Sequence, residues 1–158
     1  METYYGHIRT QLDAILLFEA CRIGYLPRIN RRLSERERLR IRSGSIFIWD
    51  EREASMRRWT DGKSWSASRV SGSFLIYKEM DPNHHNHSTY RHNGSNANVP
   101  YKPEGLIKQS FSITTSTDRK LHLIAYYHPS DINTNYLIQP SLDPKLKDIQ
   151  IPLDMYPD

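Results

Sequence analysis

The stretch LIKQSFSITTSTDRKLHLIAYY, residues 106–127, decides the fold. Side chains alternate between apolar and polar over residues 109–115, and Ser116, Thr117 and Asp118 interrupt with turn chemistry. The alternation then resumes over residues 120–127, the pattern of a β-hairpin. A two-stranded hairpin is marginal in water on its own, so its strands need partners from elsewhere in the chain. Upstream, residues 3–8 (TYYGHI), 45–49 (SIFIW) and 73–78 (SFLIYK) read as strands, too few for a sound sheet of their own. The expected fold is therefore α+β: a single globular unit whose two sequence halves interlock through a shared antiparallel β-sheet, with short helices mainly in the first half. A length of 158 residues suits one such unit.

Two helices are expected in that first half. Thr10 followed by Asp13 forms a capping box, Leu12, Ile15, Leu16, Ala20 and Ile23 keep helical spacing, and Gly24 ends a core helix reaching about Arg22. Ser34 with Glu37 opens a second, shorter helix before Gly44, and its mixed charges read as a solvated face rather than a binding surface. Arg31, Arg32, Arg40 and Arg42 are secondary candidates for phosphate contacts. The acidic run at residues 50–53 is read as a turn out to solvent. Composition then divides the chain into a first half at residues 1–80, a flexible linker at 81–101, the hairpin half at 102–131 and an irregular C-terminal wrap at 132–158.

Mean hydropathy is −0.71 and ten residues are tyrosine, so the core must rely on aromatics. The longest apolar cluster, residues 14–18, is too short for a membrane span. Cys21 is the single cysteine, which excludes an internal disulfide and reads as a small buried side chain. Residues 1–80 hold 15 Lys and Arg against 10 Asp and Glu, a net of +5, whereas residues 81–158 hold 7 against 8, a net of −1. Thirteen of the 15 are arginine, whose planar fork suits phosphates and guanine edges, so a polyanion partner is expected at the first half.

RRWTDGKSWSASR, residues 57–69, is where that partner is expected to sit. Arg57, Arg58, Lys63 and Arg69 supply cations, and Asp61-Gly62 turns the backbone sharply enough for a slim tip. Thr60, Ser64, Ser66 and Ser68 are short donors for phosphates or base edges. Trp59 is counted among the contacts, and Trp65 as the anchor of the loop against the body. Arg57-Arg58-Trp59-Thr60 also has the form of a basophilic kinase site, against the plainer reading that Thr60 caps the turn. No phosphate-binding glycine loop, nucleophile elbow or paired-cysteine zinc pattern occurs, and no enzyme activity, cofactor, metal or small-molecule substrate is expected. The four histidines His84, His85, His87 and His92 fall in the linker without a rigid frame, and His7 with His122 make only a weak acid–base pair.

Residues 6–51 together with MRRWTDGKSWSASRVSGSFLIYKE, residues 56–79, closely resemble the first half of the WOPR-domain family of fungal transcriptional regulators. KPEGLIKQSFSITTSTDRKLHLIAYYHPSD, residues 102–131, is similar to its second half. The resemblance implies nuclear, sequence-specific binding of double-stranded DNA with an A/T-rich core, and leaves room for other transcription regulators as partners. It places Arg58, Trp59, Thr60, Asp61 and Gly62 in a minor groove. The second half would approach the neighbouring major groove, with Lys108 as its leading contact and Lys102, Arg119 and Lys120 behind it. Gln109 departs from the basic or small polar residue expected there, and the spacer and tail match little. The alternative reading is a module for RNA or single-stranded nucleic acid, in which a basic groove with exposed Trp and Tyr stacks bases.

Overall fold

A computed structural model describes residues 1–82, 101–132 and 136–157, so nearly all of the expected linker and its four histidines lie outside the described residues. Six strands form one antiparallel sheet: β1 (Tyr4–Tyr5), β2 (Ser45–Asp50), β3 (Arg69–Ser71), β4 (Phe74–Lys78), β5 (Ile107–Thr114) and β6 (Lys120–Tyr127), in the order β1-β2-β6-β5-β4-β3. The hairpin β5–β6 sits at the centre. β2 pairs with β6, Ile46 opposite Ala125, and β4 pairs with β5, Ile76 opposite Gln109. The first half thus embraces the second from both sides, as the need of the lone hairpin for partners requires.

Alternation then sorts the two faces. On one, α1 (Gln11–Arg22) lays Leu17 and Phe18 over Ile46, Ile48, Phe111, Leu121 and Leu123. Thr10 and Asp13 close its N-terminus with the expected capping box. On the other, Phe47, Trp49, Ile124 and Tyr126 pack with Leu33, Ile41 and Met56. β2 feeds both cores, so every residue in it is buried. Cys21 is buried and burial pushes its thiol up to about 12, fitting a packing role.

The tail is pinned to the α1 face through buried acids. The fully buried Asp13 carboxylate accepts the N–H groups of Arg9, Thr10 and Ser141 and the Gln139 amide, all at 2.9–3.0 Å. The hydroxyl of Tyr156 donates to Glu19 at 2.6 Å, and that of Tyr4 donates to Asp143 at 2.6 Å.

Four local expectations change. The strand expected over residues 3–8 shrinks to Tyr4–Tyr5. Past it the backbone turns toward the tail, with His7 N–H on the Ile138 carbonyl, and only glycine at position 6 lets that carbonyl come so close. The second helix is one turn, α2 (Glu35–Arg38), and the acidic run forms another, α3 (Glu51–Ala54). Asp50 caps α3 by accepting from Arg52 and Glu53 N–H. Finally, the end of the expected contact loop, from Arg69, folds as β3 and makes a hairpin with β4.

Candidate nucleic-acid interface

Residues 57–68 cross the loop face of the sheet, and a buried carboxylate holds them there. Asp61 accepts from the Tyr126 hydroxyl at 2.6 Å, from Trp65 Nε1 at 3.1 Å and from the Lys63 N–H at 3.0 Å. Lys108 Nζ lies 3.5 Å from the same carboxylate, between the rings of Trp65 (4.5 Å) and Tyr77 (4.9 Å). Burial pulls the ammonium pKa of Lys108 down, with Asp61 acting against that shift. Burial pushes the Tyr126 phenol well up, and the adjacent Asp61 charge adds to this, so the hydroxyl stays protonated and donates. Trp59 completes the hub: its Nε1 donates to the Tyr126 oxygen at 2.6 Å while its ring stacks on Trp49 and tilts onto Phe47.

A fixed base presents a bare tip. Gly62 is exposed at φ +75°, the left-handed conformation that lets the chain reverse right after Asp61. The Arg58 side chain is exposed and makes no hydrogen bond or ion pair among the described residues. Thr60 is exposed, and its Oγ1 accepts from Arg32 at 3.0 Å. After the tip, Ser64 and Ser66 run beside β4: Met80 N–H reaches the Ser64 carbonyl, and Ser66 N–H reaches the Lys78 carbonyl.

The residues expected at the interface therefore separate. Arg57, Arg58, Thr60 and Gly62 are exposed at or near the tip, with Lys63 half-buried beside them. Arg57 leans 3.6 Å from Glu51. Trp59, Asp61 and Lys108, expected to face a partner, turn inward as the hub, alongside the expected anchor Trp65. The Ser66 hydroxyl is committed within the chain, accepting the Lys78 N–H at 3.0 Å and donating to Ala67. Arg69 is exposed but pairs with Ile76, in the row that contains Gln109, so it belongs to the α1 face. His7 and His122 do not meet: His122 stacks on Trp49, whereas His7 packs edge-on against Tyr127 of the opposite face.

Sequence reading missed Tyr126 and Trp49. Both lie on strands with the right alternation, but only the register of β6 against β5, Tyr126 opposite Lys108, shows which hydroxyl reaches Asp61.

The family model described as Gti1/Pac2 matches residues 3–99. The chain belongs to the Gti1/Pac2 family. This Gti1/Pac2 chain is 52% identical to the cAMP-independent regulatory protein pac2 of Schizosaccharomyces pombe, a match covering all of the chain and 83% of that protein. It is 31% identical to the global transcription regulator sge1 of Gibberella fujikuroi, over 93% of the chain and 58% of the relative. Against the transcriptional regulator MIT1 of Saccharomyces cerevisiae it spans 32% of the relative's length. In structure it superposes on the WOPR domain of Wor1 from Candida albicans, solved in complex with a 13 bp double-stranded DNA. The TM-score is 0.79 at 33% identity, over 98% of the chain and 93% of that domain. The Gti1/Pac2 fold seen here is thus the WOPR fold, and the expectation of one interlocked α+β unit holds.

Proposed function

We propose that this chain binds double-stranded DNA sequence-specifically as part of a fungal transcriptional regulator, acting in the nucleus. Residues 58–62 enter the minor groove of an A/T-rich site, with Arg58 as the reading side chain. The observation that carries this reading is the contrast within five residues: Arg58 is exposed and has no ion-pair partner among the described residues, while Asp61 nearby is locked into a buried hub. An A/T-rich minor groove is narrow and strongly negative, which favours an inserted arginine. A tip already fixed in its bound shape loses little freedom on insertion. Arg57, Thr60, Gly62, Lys63 and Ser64 lie along the groove walls. Trp59, Asp61, Trp65 and Lys108 act by holding the tip in place, and Ser66 by fastening its return strand. Two relatives named as transcription regulators, and the structural match to a WOPR domain in complex with duplex DNA, support the assignment.

Competition binding tests it. An A/T-core duplex should displace a labelled copy of itself well below the concentration at which a scrambled duplex or either single strand does so. Equal displacement by all three would reject the proposal, and preference for a single strand would favour the RNA or single-strand reading.

A further inference from the structure

A broad depression opens beside the loop, between α3, residues 55–58 and the turn joining β5 to β6. Six cations line it: Arg32, Arg52, Arg57, Arg58, Arg119 and Lys120. Its carboxylates are Glu51 and Asp118, so six against two leaves +4. The lining is thus as positive as the whole chain, at +4, with Asp50 behind it offsetting part of the Arg119 charge. Such a concentration focuses a positive field outward.

The pairing inside the depression leaves its charge available. Glu51 is engaged by His122 at 2.8 Å and by Arg57 at 3.6 Å. Arg119 is braced from behind by Asp50 at 2.6 Å, and Arg32 donates to Thr60. The side chains of Arg52 and Arg58 form no hydrogen bond or ion pair among the described residues, and Lys120 makes no hydrogen bond there, its charge acting on Glu51 only at longer range. With a volume of about 810 Å³ and a wide mouth, the depression cannot enclose a small anion on all sides. It suits a charged strand that passes through.

We infer that this depression is a track for the sugar–phosphate backbone of one strand of the same duplex, with Arg52 and Lys120 as phosphate contacts. The inference rests on the minor-groove reading, because Arg57 and Arg58 belong both to the loop and to the wall of the depression. A duplex whose minor groove receives the tip brings the flanking backbone of one strand over α3 and the β5–β6 turn. The contacts are electrostatic and carry no base information.

The test compares wild type with R52Q/K120Q on the A/T-core duplex and on a scrambled duplex across a salt series. Each lost phosphate contact lowers the slope of log K against log[salt] by about 1, so the double variant should be shallower by about 2. Affinity for both duplexes should fall by the same factor, leaving the wild-type ratio between them intact. The charge-retaining pair R52K/K120R should keep the wild-type slope, which separates loss of charge from loss of fold. An unchanged slope in R52Q/K120Q, or an altered duplex ratio at unchanged slope, overturns the inference while the wild-type preference for the A/T core leaves the loop reading standing. A wild-type chain without that preference removes both.

Discussion

Where α1 covers the sheet, burial is mostly aliphatic, and the buried acids Asp13 and Glu19 are satisfied by backbone N–H groups, an amide, an arginine and a tyrosine. Across the sheet aliphatic residues pack around Phe47, Trp49 and Tyr126, and at the end of that layer Lys108 and Asp61 face one another among Tyr126, Trp65, Trp59 and Tyr77. The first arrangement closes the chain around its core. The second is expensive for stability, since a buried ion pair rarely outdoes an apolar pair of equal volume. What it supplies is direction: the Asp61 carboxylate receives four differently placed donors, so the loop has one seating. The α1 face stabilises the fold, and the loop face aims it.

The sharpest way to break that contrast is to remove one half of the ion pair. Lys108→Met should cost about 3 kcal/mol in denaturant unfolding, because it leaves the Asp61 charge buried without its cation. Adding Asp61→Asn should recover part of that loss, but not the preference for the A/T core, since the loop then lacks its ionic seat. A single Lys108→Met variant as stable as the parent would mean that the hub is not a coupled unit.

Asp13→Asn probes the other face and should cost about 2 kcal/mol, with DNA affinity unchanged in the folded protein. Burial alone would raise the Asp13 pKa, but the N–H groups of Arg9, Ser141 and Thr10 outweigh it and hold the value below the usual range. A carboxylate depressed in this way contributes stability that is present above its unfolded pKa of about 4 and lost as pH falls through the folded value. Stability measured from pH 6 downward should therefore fall steeply below about pH 4 in the parent and less steeply in Asp13→Asn. Parallel acid limbs would contradict the assignment of that charge to the α1 face.

The smallest effect is expected at Thr60. Thr60→Glu places a negative charge on the groove-facing turn and competes for Arg32, so affinity should fall by about 1 kcal/mol, roughly fivefold, with unfolding unaffected. Unaltered affinity would place Thr60 outside the interface.

The sheet was legible because alternation is local and a lone hairpin advertises its missing partners. The capping boxes of α1 and α2 and the Asp61-Gly62 turn were legible for the same reason: each is written within four residues. The roles of Trp59, Asp61 and Lys108 were not. Asp61 and Lys108 stand 47 positions apart, as their numbering shows, and become neighbours only once β4 and β6 take their places on either side of β5. A basic residue on a strand reads as a surface contact until its cross-strand neighbours prove to be Tyr77 and Tyr126. The position of Arg69 was hidden likewise, because the face it occupies follows from its register against Ile76.

The most direct test of the central claim is the affinity of Arg58→Ala for an A/T-core duplex and for a scrambled one of equal length. If the hub aims Arg58 into the minor groove, the variant should lose about 1–3 kcal/mol on the A/T core and little on the scrambled duplex, flattening the preference. Equal losses on both would make Arg58 a phosphate contact and contradict the account.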